Sequence, residues 1–379
     1  MNFAFTPEHD EFRKTIRKFA EDVIAPVIGE YDEREEFPVD LVLQMGKMGL
    51  LGLPFPEQYG GSDSDFVTVC IAVEELARID SSMAATLEAA LGLGAMPIHL
   101  FGTEEQKQKW LTPLARGESL AAFGLTEPEA GSDSHRLRTK AVLDGGEWVI
   151  NGSKAFITNS GTPISLFTVV AAVTGPGPQI SNIIVPNGTP GFTVGGSYRK
   201  IGWHSSDTHE LSFQDARVPE ENLLGELGAG HRNFLAALDG GRVAIGALAV
   251  GLAQGCLELS VAYAKERRTF GKPIAEHQVI AFKLADMATQ TDHARLGVYR
   301  AAWMKDQGLP FKKEASMAKL FASEIANDVA RDAVQIHGGY GYINESAVSR
   351  FYRDAKILEI GEGTSEVQRM IIARELLGP

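Results

Sequence analysis

The chain has 379 residues, too many for one ordinary core, so two or three packed units are expected. Its 44% hydrophobic and 22% charged residues are those of an average globular protein, and a net charge of −13 argues against nucleic acid as a partner, because phosphates would be repelled. No uninterrupted apolar run looks long enough to cross a bilayer, and Cys70 and Cys256 do not make a disulfide framework, so a reduced, cytoplasmic protein without a membrane partner is expected.

The opening stretch, Met1-Asn2-Phe3-Ala4-Phe5-Thr6-Pro7-Glu8, has no basic region followed by an apolar one, so no secretory signal is expected. Up to about Arg116 the pattern is helical. Phe12, Ile16 and Phe19-Ala20 recur at helical spacing, and Pro26 closes that segment. Asp65 opens a second helix, Phe66 to Ala77, with Phe66, Val69, Val73 and Leu76 on one face. A third begins at Thr103, where Thr103-Glu104-Glu105-Gln106 has the form of a capping box.

From about Leu120 to Gly230 the pattern turns to strands. Lys140–Leu143 and Glu147–Ile150 around Asp144-Gly145-Gly146 read as a hairpin, and Asn151-Gly152 as a second tight turn leading into Ala155–Thr158. Further strand-like runs lie at Leu166–Val173, Ile180–Val185 and Leu211–Phe213, and Thr174-Gly175-Pro176-Gly177-Pro178 reads as a loop. Beyond Gly230 long helices return, one of them from Gly240 to Arg268, broken by Gly271-Lys272-Pro273. Helices, a strand block, then helices again point to an α+β fold with a β domain between helical ones.

Several familiar chemistries are absent from the pattern. There is no GxxxxGK[ST] phosphate loop, no GxSxG elbow and no HExxH, and Gly338-Gly339-Tyr340-Gly341 does not make GxGxxG, so a Rossmann nicotinamide site is not expected. His204 and His209 are the closest histidine pair, with no Cys or acidic cluster to complete a metal site; a structural role is expected for both and no metal. Two segments carry more. Leu125-Thr126-Glu127-Pro128-Glu129-Ala130-Gly131-Ser132-Asp133 sits where helix gives way to strand, with small residues and free N–H groups suited to a polar ring edge or a phosphate. In Ile360-Gly361-Glu362-Gly363-Thr364-Ser365-Glu366-Val367-Gln368-Arg369, one carboxylate stands between two glycines where a ligand can approach the backbone, just before a final helix that Thr364 or Ser365 can cap.

These two segments resemble the signature patterns of the acyl-CoA dehydrogenase family, and the likeness runs over essentially the whole chain. Phe156-Ile157-Thr158-Asn159 resembles the family's flavin-stacking strand. Glu266-Arg267-Arg268-Thr269-Phe270-Gly271 and Glu276-His277-Gln278 resemble its site for the FAD pyrophosphate and adenine of a neighbouring subunit, and Gln335-Ile336-His337-Gly338-Gly339 its glycine-rich FAD contact. The resemblance implies an N-terminal helical domain (1–119), a middle barrel-like or orthogonal β-sheet domain (120–230) and a C-terminal four-helix bundle (231–379) that builds a homotetramer. It implies FAD as cofactor, an acyl-CoA as substrate, and an electron-transferring flavoprotein as the partner that takes the electrons.

The family's roles fall on particular residues. Glu362 is implied as the catalytic base that takes the α-proton of the thioester while FAD takes a hydride from the β-carbon. Phe123, Leu125, Thr126, Gly131 and Ser132 would meet the isoalloxazine, Ser132 also lying near the thioester; Phe156 and Ile157 would cover the ring and Thr158 approach N5. Arg267, Thr269, Phe270, His277 and Gln278 would reach FAD across a subunit interface, with Gln335, Gly338 and Gly339 along its pyrophosphate and Thr364 and Glu366 completing the site. Asp239 and Arg242 would face the CoA portion, and Gly361 and Gly363 would flank the acyl group. An α-proton of a thioester is a very weak acid, so its removal needs a positioned, desolvated carboxylate and donors for the developing enolate.

Two departures matter. Many relatives carry Tyr before the base, whereas this chain has Gly361, which leaves room for a branched or bulky acyl group; many carry Trp where Phe156 stands. Some relatives place the base on the helix around Arg242, but this chain has Gly240 and Gly241 there, leaving Glu362 as the only base. Glu88, in Thr86-Leu87-Glu88-Ala89, falls where the family's helix floors the acyl pocket: buried, it would limit chain length; exposed, it would be an ordinary helical glutamate. His337 reads as a packed histidine beside two glycines. The expected substrate is a short- to medium-chain or branched acyl-CoA. Two other readings stay open: an oxygen-using oxidase or monooxygenase on the same fold, disfavoured by Glu362 and by the length, and a cofactor-free binding protein, disfavoured by the flavin motifs.

Overall fold

The computed structural model describes residues 4–176 and 179–378, so residues 1–3, Pro379 and two residues of the expected loop, Gly177 and Pro178, lie outside it. Helix α1 (Pro7–Phe19) starts on Thr6, whose hydroxyl accepts from His9 N at 3.2 Å, and buries Ile16 and Phe19. A wider π-type turn at Ala20–Ile24 carries it on toward Pro26. Helix α2 (Phe66–Ala77) has Asp65 as its cap, accepting from Thr68 N at 2.8 Å as its sequence leads one to expect. Helix α3 (Ser81–Glu88) is capped the same way by Asp80. The capping box at Thr103 is closed in both directions, Gln106 N to Thr103 Oγ1 at 3.2 Å and Thr103 N to Gln106 Oε1 at 3.1 Å.

The strand region makes an eight-stranded sheet from β1 (Leu120–Gly124), β2 (Lys140–Asp144), β3 (Glu147–Thr158), β4 (Ser165–Val173), β5 (Ile180–Pro186), β6 (Phe192–Ser197), β7 (Thr208–Pro219) and β8 (Leu223–Leu224). Its order is β6-β7-β3-β2-β4-β5-β8, with β1 parallel to β4. The β2–β3 hairpin turns on Gly145 (φ 63°) and Gly146 (φ 85°), a conformation glycine adopts without strain. Asn151-Gly152, read above as a second turn, is not one. The strand runs straight through it, because Asn151 bonds Asp215 on β7 through both ends of its amide and Gly152 pairs with Phe213 across a bulge. Long-range pairing over the length of β3 and β7 outweighs the local turn preference. β1 and β6 carry no alternation and went unread; β1 is buried at every position, so nothing in its pattern marks a face.

The C-terminal part holds α4 (Gly230–Glu266), α5 (Gln278–Asp306) and α6 (Lys312–His337) side by side, with α7 (Ala347–Ala355) and α8 (Ser365–Leu377) laid against α6. Helix α4 begins ten residues before the expected Gly240 and ends at Glu266. Its small residues let α2 approach closely. A Cβ at Gly251 or Gly255 would run into the carbonyl oxygens of Glu74 or Arg78, so these two glycines, one turn apart, set the distance between the helices. The expectation of no membrane-length apolar run needs correcting. By length and composition two helical stretches qualify, Ser81–Phe101 and Gly230–Glu266, and both lie mostly buried inside the fold: they are apolar all round because they are core helices.

Polar ties join the sheet to these helices. Asp354, fully buried on α7, accepts from Trp203 N and from Ser81 Oγ, both at 2.6 Å, and Asn159 at the end of β3 donates to Thr86 O on α3 at 3.2 Å. His204 and His209 belong to two separate structural networks. His204 lies against Asp32 and Arg353, while His209 bonds Asp207 at 2.6 Å.

Candidate active site

Glu362 sits in the turn before α8 at φ 53°, a left-handed conformation that costs a non-glycine residue free energy. The surroundings over-determine it. Thr364 caps α8 by accepting from Val367 N at 3.3 Å; Gln368 Nε2 donates to Glu362 O at 3.3 Å and to Gly363 O at 2.9 Å; and Lys319 Nζ, on the buried face of α6, donates to Gly363 O at 2.8 Å. The turn therefore aims the Glu362 side chain inward at α4. It arrives over Gly241, where any Cβ would collide with its Oε2 and lie 3.3 Å from Oε1 of Glu88. Gly241 is thus a steric requirement of having this carboxylate here.

Two carboxyls therefore meet on α4. Glu88 is buried, which settles the choice left open by its sequence, and the two groups lie within hydrogen-bonding reach of each other. Burial pushes the Glu88 carboxyl well above the usual carboxylate range, and the charge of Glu362 adds to the rise. Burial also raises Glu362, opposed by the hydrogen bond from Glu88 and by the cations Lys319 and Arg242. Those cations spend their own bonds elsewhere: Lys319 on Gly363 O, and Arg242, itself buried, in an ion pair with Asp239 one turn away on α4. Asp239 is the more open of that pair. A side chain starting at Gly361 would meet nothing closer than Ile357 O at 3.6 Å, so the position before Glu362 is open. A narrow cavity of about 30 Å³ continues from Glu88 past Gly241 and Leu91 to Phe66 and Lys305, whose ammonium lies 3.3 Å from the Phe66 ring centre. A wider groove along Gln254 and Glu258 opens on the outer side of α4 and holds none of these groups.

A second group of site residues lies on the sheet. Phe123 and Leu125 are buried at the end of β1, Phe123 packing on Phe234 of α4 at 4.7 Å. Thr126 holds β3 through its carbonyl, which accepts from Ala155 N at 2.9 Å, while Gly131 and Ser132 face outward, with open space where a side chain on Gly131 would be. Ile157 is buried and Thr158 partly so, but Phe156 is 64% exposed at φ 60°, its ring tilted against Tyr198 at 5.0 Å. A strained backbone that presents an aromatic ring outward is consistent with a surface awaiting a flat partner. Behind it lies an ion pair that motif reading missed. Lys154 Nζ, fully buried, bonds Glu127 Oε1 at 2.8 Å and Leu125 O at 3.0 Å, and burial lowers this lysine to about 8. Glu127 also accepts from Arg138 N and Thr139 N, so one buried carboxylate holds the whole loop.

The remaining residues gather elsewhere. Arg267, Thr269 and Phe270 form a small hairpin, β9 (Arg268–Thr269) and β10 (Lys272–Pro273), just past α4. Phe270 is 97% exposed, and Thr269 Oγ1 lies 3.1 Å from His277 Nε2; Gln278 then opens α5. The end of α6 lies beside it: Arg267 sits over Tyr340 at 5.9 Å, and His337 stacks on Tyr263 at 4.4 Å, a packed histidine. Gln335, Gly338 and Gly339 are exposed here, and a side chain on either glycine would meet open space. Helix α4 separates this cluster from Gly241 and Arg242 by about 25 residues, roughly 37 Å at 1.5 Å per residue. One chain therefore does not bring Arg267–Gln278 to Glu362. Thr364 and Glu366 stay with Glu362, Thr364 in its capping bond and Glu366 exposed on the first turn of α8.

Comparison with known proteins supplies the frame for this geometry. Residues 6–118, 122–216 and 228–377 match, in that order, the N-terminal, middle and C-terminal domains of acyl-CoA dehydrogenase. The chain belongs to the acyl-CoA dehydrogenase family. Members of this family are FAD-dependent oxidoreductases acting on CH–CH bonds, built from a helical N-terminal domain, a middle sheet domain and a C-terminal helical domain. A probable acyl-CoA dehydrogenase of Bacillus subtilis is 51% identical over the whole of both chains. Butyryl-CoA dehydrogenase from Megasphaera elsdenii superposes with a TM-score of 0.96 at 44% identity, and a chain solved in work on the electron transferring flavoprotein of Acidaminococcus fermentans with 0.97 at 44%, each covering both chains in full. The residues present suit a flavin: an outward aromatic face at Phe156, a backbone loop open at Gly131, and a glycine pair open at Gly338 and Gly339.

Proposed function

We propose that this acyl-CoA dehydrogenase converts a short-chain acyl-CoA to the trans-2-enoyl-CoA, with Glu362 as the base. The observation that carries the reading is the Glu362 carboxyl, held in a strained turn with its Oε2 buried over Gly241, beside Gly361, which leaves room for a side chain. Such a group is desolvated and immobile, and both properties favour proton abstraction from a weak carbon acid. Glu88 and Lys305 place polar groups in the cavity beside Gly241, which disfavours a long apolar chain there. Gly361 adds lateral room for a branch near the α-carbon. Glu362 takes the α-proton, and its backbone N–H is available to the thioester oxygen as negative charge develops there.

Bound FAD supplies the acceptor for the hydride that leaves the β-carbon. On this reading Thr126, Ser132, Phe156 and Thr158 of one chain hold the ring, Phe123, Leu125 and Ile157 pack the strands beneath it, and Arg267, Thr269, Phe270, His277, Gln278, Gln335, Gly338 and Gly339 of a neighbour hold the nucleotide. The separation of the two clusters along α4 supports a homotetramer in which each site is shared. Asp239, the open end of its pair, and Arg242 face the CoA portion, Gly361 and Gly363 flank the acyl group, and Thr364 and Glu366 complete the cofactor site. The domain limits proposed are 1–119, 120–230 and 231–379, the location cytoplasmic, and the electron acceptor an electron-transferring flavoprotein. The test is anaerobic titration of the purified yellow enzyme with straight and branched acyl-CoAs. Bleaching by short chains in the wild type, and its loss in Glu362→Gln, supports the reading. Bleaching only by long straight chains, or rapid oxygen consumption during turnover, overturns it.

A further inference from the structure

The pair of carboxyls over Gly241 asks for an account beyond base chemistry alone. Glu88 Oε1 and Glu362 Oε2 are both buried, and among the described residues neither accepts a hydrogen bond from a group outside the pair. Among the described residues no cation forms an ion pair with either carboxyl, Arg242 being paired with Asp239. The charged groups that face them are few and committed: Arg242 and Asp239 of α4 to each other, Lys319 of α6 to Gly363 O, and Lys305 of α5 to the Phe66 ring, while Glu359 and Glu366 flank Lys319 from outside. Two buried carboxyls in contact, with no cation bonded to either, disfavour double ionisation, so one proton stays with the pair.

We infer that Glu88 is a positioning residue of the reaction, a neutral carboxylic acid that donates a hydrogen bond to the Glu362 carboxylate and keeps the base ionised and aimed. This rests on Glu362 being the base. The proton belongs on Glu88 because Lys319 and Arg242 favour the charge on Glu362, whereas the cation that shares the cavity with Glu88, Lys305, lies on the Phe66 ring. The shifts agree in direction, Glu88 held well above its usual range and its hydrogen bond drawing Glu362 down against burial. Without the donor, burial would protonate the base at the pH where it must act. Its orientation also benefits, since a carboxylate over a glycine has no side chain below to restrain it. When Glu362 takes the substrate's α-proton, the pair holds two protons and no charge; releasing one to solvent restores the starting state.

The test compares Glu88→Ala and Glu88→Gln with the wild type in the flavin-loaded enzyme, reading the rate of anaerobic flavin bleaching against pH and the unfolding midpoint of each. Alanine removes the donor and moves the acid limb upward by about one pH unit, roughly a tenfold loss of rate on the acid side. Glutamine keeps a neutral donor and holds the limb near its wild-type position, which a purely structural role would not require. An unmoved limb in Glu88→Ala overturns the inference. So does a downward shift in Glu88→Gln, which would mean that Glu88 acts as a like charge. An independent readout is the infrared carbonyl band of a protonated carboxyl at neutral pH. Because the buried carboxyls of Asp80 and Asp354 also titrate high, the reading is a difference spectrum. Wild type and Glu362→Gln should each carry a component that Glu88→Gln lacks, and identical bands in wild type and Glu88→Gln place the proton elsewhere and sink the idea. If Glu362→Gln still bleaches its flavin, the base assignment fails while this band still reports on Glu88.

Discussion

The two ends of α4 differ in how far a single chain completes them. Around Gly241 the chain itself supplies groups that orient Glu362: Lys319, Gln368, Thr364 and the neighbouring carboxyl of Glu88. Around Arg267 the chain presents the opposite: a bare Phe270, a hairpin of two-residue strands, and glycines at the end of α6 with nothing above them. Chemistry that depends on sub-ångström aim is built into one folded core. On the proposed reading, recognition of the long, charged cofactor tail is left to a surface that another chain completes.

That contrast can be broken at either end. The largest effect is expected at the buried end: Glu362→Gln should lower the rate of flavin reduction by on the order of 10³-fold or more while flavin content and unfolding temperature hold, as stopped-flow bleaching and absorbance would record. Gly241→Ala follows, because its methyl would displace the carboxylate. A loss of about 10²-fold in rate, with a stability cost of about 1–3 kcal/mol by denaturant titration, is the expected outcome. At the open end, Arg267→Ala should weaken FAD retention by roughly 10- to 100-fold, read by dialysis and reconstitution, yet leave the bleaching rate of the flavin that remains bound close to normal. A large rate loss in that bound fraction would erase the distinction between the ends.

The smallest effect belongs to the sheet between them. The hydrogen bond to Asp207 raises His209 above its ordinary value despite its burial. The protonated form is therefore favoured in the folded state, and its contribution is complete below the ordinary histidine value. It is lost as the pH climbs through the raised value. The unfolding midpoint should fall by about 1–2 °C across that window in the wild type and stay flat in His209→Asn, with both ends of α4 unaffected.

Legibility followed the range of the interactions. The caps at Asp65 and Thr103 and the Gly145-Gly146 hairpin were readable because each is closed by atoms only a few residues apart. Asn151-Gly152 was misread because its fate depends on Asp215 and Phe213, more than sixty positions away. The Lys154–Glu127 pair and Lys319 carried no local signal: a lone lysine in an apolar stretch looks like a surface residue until something is seen to cover it.

By itself, then, the order of residues determined the three-part layout, the caps and turns, and a carboxylate between two glycines, since these depend on periodicity, on short-range hydrogen bonds and on the backbone freedom of glycine. Only the tertiary structure decided that Glu88 is buried against Glu362 over Gly241, and that the Arg267 cluster stands a helix-length away from both. Burial and charge pairing arise from what a side chain meets across the fold, and no local pattern encodes that meeting.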